Sequence, residues 1–125
     1  MLLYSPLSVN SLSTLLDRPK DDIKQGLVDL YTILDIPKDT PRPLRLHHPS
    51  FRDFLRDKKR CSDPNFWVDK KQAHWTLVES CIQLMSAFLK QDICGLDAPG
   101  ALAADIESSR VERSLPPELQ YACLY

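Results

Sequence analysis

The run Pro43-Leu44-Arg45-Leu46-His47-His48-Pro49-Ser50-Phe51-Arg52-Asp53-Phe54-Leu55 changes its period halfway along. Pro43 to His47 reads as a short extended segment. From Ser50 the pattern becomes helical: Ser50 and Asp53 stand at capping-box spacing, and Phe51, Phe54 and Leu55 supply an apolar face. Upstream, Thr32 to Ile36 is a second extended run, separated from the first by the turn-rich Pro37-Lys38-Asp39-Thr40-Pro41-Arg42. The two runs predict a hairpin that leads directly into a helix.

Two short helices are expected before the hairpin. Ser8 can cap the first, in which Val9, Leu12, Leu15 and Leu16 recur at helical spacing until Asp17-Arg18-Pro19 stops it. The second starts at Asp21 or Asp22, where two aspartates complement the helix dipole, and carries Ile23, Leu27, Leu30 and Leu34 on one stripe, slightly weakened by Gly26. A helix-turn-helix followed by a small hairpin is the outline of a winged helix, with the hairpin as the wing. The expected fold class is therefore mainly α: a winged-helix domain over residues 1–58, a polar connection over 59–67, and a helical domain over 68–125. In that last part Val68 to Leu89 has no internal Pro or Gly and predicts a long, well-buried helix. Gln91 to Gly100 is rich in turn residues, Ala101 to Arg113 is weakly helical, and Pro116-Pro117 precedes a final helix near Glu118. The apolar Met1-Leu2-Leu3-Tyr4 and the uncovered apolar residues up to Tyr125 read as ends within a longer protein.

Composition narrows the function classes. Sixteen Lys and Arg against seventeen Asp and Glu leave a net charge of -1, so no bulk field gathers nucleic acid or anionic lipid. Lys20 and Lys24 on the second helix are offset by Asp21, Asp22 and Asp29, which repel phosphates. No apolar stretch reaches the roughly 20 residues of a membrane span, and a cytoplasmic location is expected. Cys61, Cys81, Cys94 and Cys123 are dispersed without a CxxC pair and are expected to be free thiols. His47, His48 and His74 lack the i, i+4 pairing of a helical metal site. There is no GxxxxGK[ST] loop and no GxSxG elbow, and the chain is read as non-catalytic, with no cofactor of its own.

His48 is the candidate functional residue, with Ser50 and Asp53 in support. It stands at the mouth of a helix, where free backbone N–H groups and the dipole favour an anion. A neutral imidazole there can donate one hydrogen bond to a phosphate oxygen. The competing reading is a histidine that ends the hairpin and packs against it.

Four segments occur together in order: PLSxxxLxxLL (Pro6 to Leu16), ILDIP (Ile33 to Pro37), RLHHPSFRDFL (Arg45 to Leu55) and NFWVD (Asn65 to Asp69). With CIQLM (Cys81 to Met85), DICGLDAPG (Asp92 to Gly100) and LPPELQYACLY (Leu115 to Tyr125), the chain resembles fungal NLR-type signal-transducing NTPases of the vegetative-incompatibility class, in the region that follows their NACHT nucleotide-binding domain. The resemblance implies a winged helix followed by a helical domain, a regulatory and relay role, and ADP or ATP bound by the full architecture. By position it gives His48 the contact to the β-phosphate of ADP that keeps the closed state. It implies a NACHT domain and a C-terminal repeat domain as intramolecular partners. The phosphate loop and the magnesium-binding acidic strand of that family have no counterpart here. The alternative from another class is a stand-alone winged-helix module that binds DNA or protein.

Overall fold

A computed structural model describes residues 5–38 and 41–125. Met1 to Tyr4, expected as the tail of a first winged-helix helix, and Asp39 and Thr40 of the hairpin turn lie outside the described residues. The described residues are mainly helical, with one small antiparallel sheet among them. In order it forms α1 (Val9–Leu15), α2 (Lys20–Leu27), a 3-10 turn (Val28–Leu30), β1 (Leu34–Asp35), β2 (Arg45–Leu46), α3 (Ser50–Arg56), α4 (Lys70–Phe88), a second 3-10 turn (Ala103–Asp105), α5 (Ser108–Ser114) and α6 (Pro117–Leu124).

The start and stop of α1 follow local chemistry. The Ser8 hydroxyl accepts the backbone N–H of Ser11 at 3.1 Å, and Asp17 adopts φ +50, the left-handed turn that lets the chain leave the helix. The second helix opens on Lys20, directly after Pro19, and turns into the 3-10 segment at Val28. Leu34 therefore does not continue its stripe; it is buried in β1 instead.

Pairing in the hairpin is short. Leu34 faces Leu46 and Asp35 faces Arg45, and the His47 N–H donates to the Ile33 carbonyl at 3.0 Å. The segment before α1 joins this ladder: Ser8 bridges Pro43, and the Leu44 N–H donates to the Leu7 carbonyl at 2.9 Å. Leu44 and Leu34 are almost wholly buried.

The side chain of Leu7 faces a different neighbourhood. It belongs to a cluster with Leu15, Cys81, Leu84, Leu119, Tyr121 and Ala122, so α1 packs on both α4 and α6. Residues on both sides of the expected 59–67 connection build this one core. The connection is also less solvated than its composition suggests. Cys61 is buried, its N–H donates to the Asp57 carbonyl at 2.8 Å, and the Lys58 ammonium lies 5.1 Å above the Trp67 ring.

The long helix α4 is capped by the Asp69 carboxylate, which accepts the N–H groups of Lys71 and Gln72. It is not the well-buried helix that its apolar content predicts. Only Cys81 and Leu84 are buried, whereas Trp75, Val78, Ile82 and Leu89 remain exposed. Two apolar stripes run along α4, and α1 and α6 cover one of them.

Leu119 is 1% exposed at the junction of α6 with this core. Leu119→Ala is expected to cost about 2–5 kcal/mol, the usual range for emptying a leucine site. Urea denaturation checks this, with helical circular dichroism and tryptophan fluorescence falling in one shared transition because the core spans both parts of the chain.

Candidate functional site

The site is built from the end of the hairpin and the first turn of α3. β2 ends at Leu46, His47 adds one more ladder bond, and the chain then turns through His48 and Pro49. Pro49 has φ -65 and ψ -22, already helical, and Ser50 is the first residue of α3. The expected capping box is not formed: Ser50 lies inside the helix, and no side chain caps α3 from the position before it. The physical reason is that the helical turn begins earlier. The Phe51 N–H donates to the His48 carbonyl at 3.4 Å and the Arg52 N–H to the Pro49 carbonyl at 3.1 Å.

His48 itself supplies the remaining acceptor. Its Nδ1 takes the Ser50 N–H at 3.2 Å and lies 2.7 Å from the Ser50 Oγ. The N–H groups expected to be open to an anion are thereby used locally for Ser50, Phe51 and Arg52. What stays available is the far side of the ring, since His48 is exposed. Asp53 is exposed in the first turn, where its charge suits the dipole; no cap bond involves it. Phe51 and Phe54, both half-buried on α3, stack on each other at 6.3 Å between ring centroids.

Among the described residues no carboxylate is hydrogen-bonded to His48, so His48 and Ser50 form a pair without the third, orienting acid of a hydrolase triad. Among the same residues no group of three or more His, Cys, Asp or Glu side chains converges. His47 is exposed and contributes its backbone to the ladder. His74 is remote in sequence from both and lines an apolar groove between α4 and α6 with Leu77, Val78, Cys81, Ile82 and Tyr121. Burial pushes the Cys81 thiol above its ordinary pKa, which keeps it protonated and unreactive. All four cysteines are free.

Two features lie outside what the usual local sequence patterns reveal. One is capping by a histidine two residues ahead of the helix, for which the sequence signal is the His-Pro-Ser triplet. The other is a strap: Arg110 on α5 donates from Nε to the Cys94 carbonyl at 2.8 Å and also bonds the Gly95 carbonyl. It closes a turn in which the Asp92 carboxylate accepts the N–H groups of Asp97 at 2.9 Å and Leu96 at 2.8 Å. Gly95 at φ +60 is the glycine this turn requires.

Comparison with protein-family models, with curated proteins and with solved structures finds no match to this chain.

The turn yields a pH prediction. The N–H groups of Asp97 and then Leu96 hold the Asp92 carboxyl below its ordinary value, and the positive charges of Arg110 and Lys90 add to this. A carboxyl depressed in the folded state stabilises that state above its unfolded pKa of about 3.9, and the contribution is lost as pH falls through the lower folded value. The amide resonances of Leu96 and Asp97 should therefore titrate with a midpoint below about 3.9. In Asp92→Asn that titration should vanish while the Leu119 core stays intact.

Proposed function

We propose that this chain is a non-catalytic regulatory and relay segment of a NACHT-type nucleotide-switched signalling protein, in which His48 helps hold the ADP-bound closed state. The observation that carries the reading is the exposed imidazole of His48, held by Ser50 at the point where the hairpin becomes α3. The order of elements supports it as well. Two short helices followed by the β1–β2 hairpin are the order that a winged-helix outline calls for. The NACHT domain and a C-terminal repeat domain would be its partners in the longer protein, with ADP and ATP bound by the former, and the cytoplasm its location.

The mechanism is a two-state switch. ADP contacted through its β-phosphate by His48 favours the closed arrangement, and exchange for ATP removes that contact and releases the segment. The exposed stripe of Trp75, Val78, Ile82 and Leu89 favours a second reading, a winged-helix module that binds protein. Aspartates beside Lys20 and Lys24 weigh against its DNA-binding form.

A hydrogen bond to a charged group contributes about 1.5–3 kcal/mol. In the protein that joins this segment to its nucleotide-binding domain, His48→Ala should therefore speed ADP release by about tenfold or more and raise basal signalling. Unchanged ADP retention together with unchanged basal signalling would sink the proposal. A salt-sensitive, sequence-specific gel shift with the isolated chain would favour the DNA-binding module instead.

A further inference from the structure

We infer that Ser50 is a positioning residue that fixes the tautomer of His48, so that the ring presents an N–H donor at Nε2 and the site takes a hydrogen-bond acceptor such as a phosphate oxygen. The inference rests on the proposed phosphate contact for the identity of the ligand, whereas the tautomer rests on geometry alone. A backbone N–H can only donate. Its 3.2 Å bond from Ser50 to the His48 Nδ1 therefore requires a lone pair on that nitrogen. A neutral imidazole carries one donor and one acceptor nitrogen, so the proton is on Nε2. The Ser50 Oγ, at 2.7 Å, donates its hydroxyl proton to the same Nδ1. One residue thus closes on one ring nitrogen from two directions.

The consequence is chemical selectivity. With Nδ1 engaged beside α3, the exposed Nε2 edge of His48 offers a donor and no lone pair. Oxyanions satisfy that edge. Ligand N–H groups do not, and a metal ion would need the opposite tautomer at this nitrogen. Ser50 acts through His48 and touches no ligand in this arrangement.

The test is the long-range 1H–15N correlation spectrum of the whole chain near pH 8, about 1.5 units above the ordinary imidazole pKa, with His47 and His74 as internal references. For His48 the expected pattern is a pyridine-type shift at Nδ1 and a pyrrole-type shift at Nε2. Ser50→Thr, which keeps the hydroxyl, should preserve it. Ser50→Ala, which removes the hydroxyl but keeps the backbone N–H, should move both nitrogens part of the way towards the averaged shifts of a freely exchanging exposed histidine. A proton on Nδ1 in the unaltered chain would overturn the inference, even if Ser50→Ala failed to form α3. Identical His48 shifts in the unaltered chain and a folded Ser50→Ala would overturn the positioning role of the Ser50 side chain, because the remaining backbone N–H would then suffice. The ligand is tested separately: a fixed tautomer with unchanged ADP retention in His48→Ala keeps the positioning role and removes the phosphate contact. An averaged tautomer with impaired retention does the reverse.

Discussion

Leu7 answers to two parts of the molecule at once, and the placement of everything after the hairpin depends on it. Its carbonyl accepts the Leu44 N–H at 2.9 Å, while its side chain is buried among Leu15, Cys81, Leu84 and Leu119. A two-residue antiparallel pair is too little to hold a hairpin against the loss of chain entropy. The hairpin is held because Leu34 and Leu44 are buried and because the segment entering α1 is bonded to it. His48 follows β2 by two residues, so the helical core fixes where its ring emerges. That gives a contiguous path from Leu119 through Leu7 and Leu44 to His48. Such a path is spatial, and it becomes a coupling only where its ends bias the same two-state element.

Around His48 the local bonds sort the chemistry. A histidine 2.7 Å from a serine hydroxyl has the spacing of a nucleophile and its base. Here the base lone pair is also claimed by the Ser50 N–H, and no acid among the described residues orients the ring from the other side. The same competition that blunts Nδ1 as a base defines Nε2 as a donor. In the proposed site, structural and recognition roles would coexist in one side chain, the first through Nδ1 and the second through Nε2.

What was legible in the sequence was the chemistry that acts within a few residues. The Ser8 cap, the stop at Asp17-Arg18-Pro19, the site of the hairpin and the proline start of α6 all follow from neighbours in the chain. The hairpin's length was not, because Pro43 has no N–H with which to extend a ladder and bridges Ser8 instead. The spacing from Ile23 to Leu34 stays helical even though the chain leaves the helix after Leu27, so α2 is shorter than its apolar stripe. For α4, periodicity reveals apolar stripes but not which of them other elements will cover; that is decided by α1 and α6, both distant in the sequence. In the site itself, His48 and Ser50 stood out, but the ring nitrogen as acceptor of the Ser50 N–H did not. Capping patterns look for an oxygen immediately before the helix, whereas here Pro49 occupies that place and the acceptor is a ring nitrogen one residue further back.

The charge balance sets the scale on which such a site can act. With sixteen basic and seventeen acidic residues the chain produces no long-range attraction for a phosphate, so recognition at His48 would be short-range. One hydrogen bond to an anion contributes about 1.5–3 kcal/mol, against the roughly 8 kcal/mol of a micromolar complex. His48 alone would not retain a nucleotide. The same energy is well suited to biasing an equilibrium, because a differential affinity of about ten- to a hundredfold is enough to move a closely balanced pair of states. In the proposed switch another domain would supply the binding energy, and His48 would report on what is bound.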